Sequence, residues 1–310
     1  MKIEAAVSMA DLCDELLKIL KKEHVIKNAD MKKYTSFKAG GKAALLVIPQ
    51  TIEELMVTME ALRKSEIQSF FLGNGTNVLV KDSGYQGVII KLGDCFSNIE
   101  VKGETLTAYA GARISAVAKE ALEYSLTGLE FASGIPGSVG GAVFMNAGAY
   151  EKEIADVIES VEAIRVDGQK KYHLDKSECQ LSYRHSIFHE TEDIILSATF
   201  KLKKGNRDEI AAKMKELMEK RNTKQPVNLP SAGSFFKRPT GNFAGKLIQE
   251  AGLKGLSVGG AQVSPLHAGF VVNTGDATAA DILELMKLVQ NTVLDKFGVQ
   301  LEPEVRILGD

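Results

Sequence analysis

Gly128-Leu-Glu-Phe-Ala-Ser-Gly-Ile-Pro-Gly-Ser-Val-Gly-Gly-Ala-Val-Phe-Met-Asn-Ala-Gly-Ala-Tyr150 decides the reading of this chain. Five glycines, Gly134, Gly137, Gly140, Gly141 and Gly148, fall within fifteen residues among apolar neighbours. Glycine costs backbone entropy, so such density means tight turns or close approach to another group. A run of bare N–H groups is one of the few uncharged devices that holds a pyrophosphate. The segment has neither the G-x-G-x-x-G of a dinucleotide fold nor the G-K-[ST] of a P-loop. It reads as a nucleotide cradle of another kind.

Outward from this segment, strands and helices mix without strict alternation. Apolar spacing predicts helices over 8–23, 52–65, 115–124, 207–221, 243–251 and 278–297. Thr51-Ile-Glu-Glu54 reads as a capping box, and Asp281 and Gly298 mark the start and stop of the last helix. Strands are expected at 44–48, 69–72, 78–80, 88–92, 105–110, 157–166, 193–202, 270–273 and 303–308. Lys203-Lys-Gly-Asn206 is a polar link. The expected class is α+β with two or more domains, divided as 1–205, 206–300 and a terminal strand at 301–310.

The chain has 310 residues, 45% apolar, enough for a large core. A net charge of −2 gives no case for nucleic acid or an anionic membrane surface. Trp is absent, which argues against a base-stacking platform. Cys13, Cys95 and Cys179 are far apart, and an odd count without C-x-x-C suits inert thiols in a reducing compartment. Met1 to Ala10 carries acidic and polar residues where a signal peptide needs an apolar core. No apolar run approaches the roughly 20 residues of a membrane span. A cytoplasmic protein is expected. The five histidines have no zinc-like spacing, so no metal is inferred.

Four further segments offer chemistry. Gly73-Asn-Gly-Thr-Asn77 offers Gly73 and Gly75 backbone plus Asn74, Thr76 and Asn77 side chains for a phosphate held without lysine. Asn-Gly is equally a hairpin signature. A second glycine-rich loop about sixty residues on favours the phosphate reading, because a dinucleotide has two phosphates to grip. In Tyr183-Arg-His185, Arg184 is either a bidentate anion donor or a solvated surface arginine. Ser234, after Gly233 and before two aromatics, is either an ordinary turn serine or a proton donor, with Lys237 and Arg238 beside it for a diphosphate. No G-x-S-x-G supports an esterase. Glu304 and Arg306 fall two apart, as on one strand face, where a salt bridge or a carboxylate poised for proton work would fit.

Taken in order, Tyr34-Thr-Ser-Phe-Lys-Ala-Gly-Gly41, Gly73-Asn-Gly-Thr-Asn77, Gly134-Ile-Pro-Gly-Ser-Val-Gly-Gly141, Tyr183-Arg-His-Ser-Ile-Phe188, Gly233-Ser-Phe-Phe-Lys237 and Glu302-Pro-Glu-Val-Arg306 resemble the UDP-N-acetylenolpyruvoylglucosamine reductases. The resemblance spans nearly the whole chain. It implies non-covalent FAD in a two-part region of the vanillyl-alcohol-oxidase-like (PCMH-type) fold, and a separate α+β domain for the UDP-sugar. It assigns the cofactor to Gly73, Asn74, Gly75, Thr76, Asn77, Gly134, Ile135, Gly137, Ser138, Gly140, Gly141, Asn146 and Gly148. Only about fifteen residues separate Phe188 from Lys203, so the chain resembles the shorter branch that lacks an inserted tyrosine loop.

The implied reaction carries a hydride from NADPH through FAD to the enolpyruvyl group of UDP-N-acetylglucosamine enolpyruvate. The product, UDP-N-acetylmuramate, is a peptidoglycan precursor used in cell wall synthesis, cell shape and division. Arg184 and Glu304 would stabilise charge at the substrate carboxylate, with Glu304 perturbed in pKa, and Ser234 would protonate the α-carbon. Tyr183, Lys237, Arg238, Gln262 and Arg306 are the candidate substrate contacts. A flavin oxidase acting on an alcohol or hydroxy acid, and a non-catalytic UDP-sugar-binding module, are the alternatives.

Overall fold

Ser138 opens a helix, Val139–Phe144, that the Gly-Gly pair inside it argues against. The Ser138 hydroxyl accepts from Gly141 N at 3.3 Å, and the helix packs against the strand Ile194–Lys201. Packing thus overrides propensity. Gly140 lets the helix also lie close to Ala110, just past the strand Thr105–Tyr109, because a Cβ there would lie 3.0 Å from that of Ala110. The structure is a computed structural model describing residues 7–309, so residues 1–6 of the Met1 to Ala10 leader reading lie outside it.

Two compact units share the chain. One holds the residues up to Lys27, Leu45–Asn74 and Gly87–Met218; the other holds Asn28–Ala44, Gly75–Gln86 and the residues from Glu219 onward. The expected break at residue 206 followed a shift in composition. The units instead interleave along the sequence, because residues of 28–44 and 75–86 are buried with residues of the C-terminal segment. Of the minor strands, a four-stranded sheet runs Val25–Asp30, Lys42–Val47, Tyr85–Ile90, Ser69–Phe71, with the last pair parallel.

The first unit is built on a five-stranded antiparallel sheet in the order Lys171–Asp175, Ile158–Ile164, Ile194–Lys201, Thr105–Tyr109, Ile99–Lys102. Ile194–Lys201 is buried along nearly all its length because both its faces are covered. Ile195, Ala198 and Phe200 enter one core with Val117, Val139 and Phe188. Ile194 and Leu196 enter another with Leu16, Leu55 and Met59. The two sets do not keep one parity, because the pairing with Ile158–Ile164 shifts register between Glu162 and Ala163. Such a bulge turns successive side chains over. Cys13 and Cys179 are buried and Cys95 is exposed, all as free thiols; burial pushes Cys179 up to about 11, which leaves it inert.

The second unit packs Phe37, Leu79, Phe235, Leu247, Val271, Ile282 and Val289 into one core. Ser231–Ser234, Phe270–Asn273, Ala261–Val263 and Ser257–Val258 form its antiparallel sheet. Arg306–Leu308 pairs in parallel with Val78–Val80. The long helix Ala279–Phe297 begins at a Thr278 capping box and ends at Gly298, whose φ of 65° fits a left-handed cap. Asp82 adds a carboxylate to the same end, accepting from Ala279 N at 2.9 Å and Ala280 N at 2.8 Å.

Several expectations change. The first helix covers only Met9–Leu16, since the chain turns after Leu17 and then feeds the strand Val25–Asp30. Lys203–Lys204 is a strand paired with Leu126–Thr127 rather than a bare link. The terminal strand is Arg306–Leu308, so Glu304 lies ahead of it and does not share a strand face with Arg306. Their amides go to different segments: Glu304 N donates to Phe235 O at 2.8 Å, and Arg306 N to Asn77 O at 3.0 Å. Among the described residues, no helix is long and apolar enough to cross a membrane.

Candidate functional site

In the first unit, the two glycine-rich loops meet. A Cβ on Gly73 would lie 2.4 Å from Ser138 Oγ, so only glycine fits there. Asn74 Nδ2 donates to Pro136 O at 3.1 Å and ties one loop to the other. The donors differ from those the glycine pattern suggests. Val139 N and Gly140 N are taken by Ala112 O and Ala110 O at 2.8 and 2.9 Å, and Gly141 N by Ser138 Oγ. Ile135 N closes a 3₁₀ turn on Ala132 O, beside Gly134. Gly148 serves a hairpin, where a Cβ would meet Lys152 O at 2.7 Å. The amides of Gly73, Asn74, Gly137 and Ser138 have no hydrogen-bond partner among the described residues. Four neighbouring backbone N–H groups left open in this way fit an anionic diphosphate such as that of FAD.

Arg184 sits at the corner of a tight turn in the same unit. Ser182 and His185 exchange two backbone bonds of 3.1 Å, which leaves Tyr183 and Arg184 between them. Arg184 has a φ of 56°, a left-handed conformation that non-glycine residues adopt only where contacts hold it. Those contacts come from the glycine-rich segment. Asn146 Nδ2 donates to Ser182 O at 2.9 Å while its Oδ1 accepts from Ala155 N at 2.9 Å. Ser186 Oγ donates to Phe144 O at 2.7 Å. The guanidinium lies 5.1 Å over the ring of half-exposed Tyr183.

Sequence reasoning placed Asn146 at the cofactor, yet its buried amide anchors the Arg184 turn. Asn146→Ala would leave the half-buried Ala155 N–H without its acceptor and take from Ser182 O one of its two donors, His185 N being the other. The expected cost is about 2 kcal/mol, read as a lower urea midpoint at unchanged slope. An unchanged midpoint would mean the turn holds without Asn146.

The second unit brings Ser234 and Glu304 together. The pairing of Ser231–Ser234 with Phe270–Asn273 slips between Ser231 and Ser234, and Gly233 takes a φ of 75° there. A bulge of this kind re-aims the next side chain, which is Ser234. Phe235 N donates to Gly269 O and Glu304 N to Phe235 O, both at 2.8 Å, and Lys237 N donates to Glu302 O at 2.9 Å. Residues 234–237 and 302–304 therefore run side by side, with Oε2 of half-buried Glu304 shielded from solvent. Asn77 Nδ2 fixes Glu304 O at 3.1 Å. Burial holds His267, which stacks edge-on against Phe270, below the usual histidine range, so it is neutral at neutral pH. Its Nδ1 accepts from Gly269 N at 3.1 Å.

Ser36 was missed as an individual residue. Its hydroxyl donates to Ser231 O at 2.5 Å and reaches Gly75 O at 3.3 Å, joining the Gly75 loop to the Ser234 strand. A lone serine between threonine and phenylalanine carries no signal of that role. Thr76 N, like Gly75 N, has no partner among the described residues. Of the candidate substrate residues, Lys237 pairs with Glu302 at 3.4 Å on the surface and Arg238 lies 4.7 Å over the exposed ring of Phe243. Arg306 is exposed. Gln262 Nε2 is held by Gly255 O at 3.2 Å and Ser257 Oγ at 3.0 Å, and so braces a hairpin.

Comparison with known proteins places the chain in a family. Residues 43–171 match the FAD binding domain family, and residues 225–308 match the UDP-N-acetylenolpyruvoylglucosamine reductase C-terminal domain. The UDP-N-acetylenolpyruvoylglucosamine reductase of Caldanaerobacter subterraneus subsp. tengcongensis is 49% identical over 299 residues, 96% of this chain and 98% of that protein. That of Clostridioides difficile is 47% identical over 300 residues, 97% of this chain and 98% of that protein. The crystal structure of UDP-N-acetylenolpyruvylglucosamine reductase from Thermus caldophilus superposes with a TM-score of 0.79 at 37% identity, covering 92% of this chain and 98% of that one. The α+β class stands, with the FAD binding domain match ahead of the C-terminal domain match along the chain. With relatives this similar along almost its full length, the chain belongs to the UDP-N-acetylenolpyruvoylglucosamine reductase family.

Proposed function

We propose that this chain reduces UDP-N-acetylglucosamine enolpyruvate to UDP-N-acetylmuramate with NADPH, as a cytoplasmic step of peptidoglycan precursor synthesis. The observation that supports this reading is the bulge at Gly233 next to Ser234, followed at once by Phe235, whose carbonyl accepts from Glu304 N, in a chain with an FAD-binding domain. FAD, bound non-covalently on the N–H groups of Gly73, Asn74, Gly137 and Ser138, supplies hydride transfer from NADPH to the enolpyruvyl β-carbon.

The chain's own residues then handle charge and a proton. Arg184, fixed by its turn, donates to the substrate carboxylate, where negative charge builds as the double bond is reduced. Glu304 acts on the same developing charge through a proton. Ser234 Oγ gives its proton to the α-carbon. A serine is a weak acid in water, and fixed geometry against an anionic carbon makes the transfer feasible. Lys237, Arg238 and Arg306 supply cations for the diphosphate, and Tyr183 contacts the sugar nucleotide.

The test is anaerobic. NADPH should bleach the yellow protein, and UDP-N-acetylglucosamine enolpyruvate should restore the colour in one turnover. A flavin that stays bleached after that addition overturns the proposal. Bleaching by an alcohol and not by NADPH points to an oxidase, and a colourless protein to a binding module.

A further inference from the structure

Three rings stack in succession beside the Arg184 turn. His189 lies on Phe144 with centroids 4.0 Å apart and planes inclined by 29°. His185 lies on His189 at 5.1 Å and 28°. His185 Nε2 is 3.3 Å from Glu190 Oε1. Neither histidine enters the chemistry proposed above. We infer that His185 is a positioning residue for Arg184: the stack and Glu190 hold the residue that closes the strained turn, and so fix where the guanidinium reaches. The inference rests on the reading of Arg184 as donor to the substrate carboxylate. His185 acts through Arg184 and not on the substrate.

The turn runs from Ser182 to His185 and is closed by His185 N donating to Ser182 O at 3.1 Å. Arg184 is its third residue, and a φ of 56° at that place is ordinarily left to glycine or asparagine. An arginine keeps such a conformation only while both flanks are held. On one flank, Asn146 Nδ2 holds Ser182 O. On the other, Ser186 Oγ bonds Phe144 O, while the Phe144 ring carries His189 and His189 carries His185. Both routes of this second flank end on Phe144, the last residue of the helix Val139–Phe144. Gly137 and Ser138, with their open amides, stand just ahead of the same short helix. One packed piece thus sets Arg184 relative to the amides assigned to the flavin diphosphate. A ring held by stacking and at its edge by a carboxylate cannot turn about its first torsion without losing both contacts.

His185→Ala and His185→Phe are compared with wild type as FAD-loaded enzymes, and His185→Ala also in an Arg184→Ala background. Stopped-flow absorbance separates flavin reduction by NADPH from reoxidation by UDP-N-acetylglucosamine enolpyruvate. His185→Ala should slow reoxidation at saturating substrate by about 10- to 10²-fold, the cost of misplacing a donor by roughly 1 Å. Flavin reduction by NADPH should keep its wild-type rate. His185→Phe keeps a ring to stack on His189 and should recover most of the loss. In the Arg184→Ala background, His185→Ala should add less than about twofold, because its effect passes through the missing guanidinium. Wild-type reoxidation in His185→Ala overturns the inference, and so does a full additional loss in the double variant. Equal slowing of both half-reactions marks a merely structural residue and overturns it too, as does a phenylalanine variant no faster than the alanine one. Wild-type reoxidation in Arg184→Ala alone fails the reading of Arg184 itself, a different result from a slow Arg184→Ala beside an unaffected His185→Ala.

Discussion

Ser234→Ala should leave flavin reduction by NADPH at its wild-type rate and slow the substrate half-reaction by about 10²–10⁴-fold, the usual worth of a positioned proton donor. The two halves separate because only the second needs a proton at carbon. The hydroxyl has no hydrogen-bond partner among the described residues, so its removal orphans no buried group. The variant should therefore match the wild type in urea. Stopped-flow absorbance of the flavin follows each half in turn. If both halves keep their rates, Ser234 is not the donor. If the first half slows equally, Ser234 serves binding or structure. Ser234→Cys, which keeps an ionisable proton on the re-aimed position, should recover part of the lost rate.

Gly75→Ala should be among the most destabilising single-methyl changes in the chain. Gly75 has a φ of 64°, and an added Cβ would lie 2.0 Å from Tyr34 O and 2.9 Å from Thr35 Cα. Both are backbone atoms, so no rotamer relieves the clash. Ser36 N already bonds Gly75 O at 3.0 Å, and Ser36 Oγ bonds Ser231 O, so displacement passes to the strand that carries Ser234. Left-handed backbone costs about 1–2 kcal/mol for alanine and overpacking about 1–3 kcal/mol. Together they put the loss at about 2–5 kcal/mol. Gly233→Ala is the comparison: its φ is 75° but nothing lies within 4 Å of the new Cβ, so only the backbone part applies. Urea unfolding of the two should give clearly different midpoints. Equal losses would mean that the Tyr34 backbone yields freely and that packing around Gly75 is loose.

Elements with local signals were legible from sequence. Thr278, Asp281 and Gly298 bound a helix that the structure places one residue inside those marks. Thr51 caps Ile52–Ser65 by accepting from Glu54 N, although the Glu54 carboxylate returns to Gln50 N, one residue ahead of the cap. Ser231–Ser234 was not legible as a strand, because its bulge breaks the alternation by which strands are read. Val139–Phe144 was hidden by glycines whose role is close packing. At the site, residue type told which side chains are polar, and not what they bond. Asn146 and Gln262 were assigned to ligands, and both brace the fold. Glycine density marked the two loops that meet in the structure, yet their free amides fall at residues 73, 74, 137 and 138 rather than at Gly140 and Gly141.

The residues matched as a C-terminal domain, 225–308, read on paper as a detachable module. Their core says otherwise. Phe37 lies edge-on to Phe235 at 6.1 Å, Asn273 Nδ2 holds Phe37 O at 3.0 Å, Val78–Val80 supplies the strand for Arg306–Leu308, and Asp82 caps the long helix. A gene fragment starting near codon 219 would express a polypeptide with an unfilled interior and an unpaired edge. Domain shuffling cannot transplant such a piece by a single crossover. Nascent chains face the same constraint, since residues made early must wait for the last ninety or so to leave the ribosome before their contacts can form.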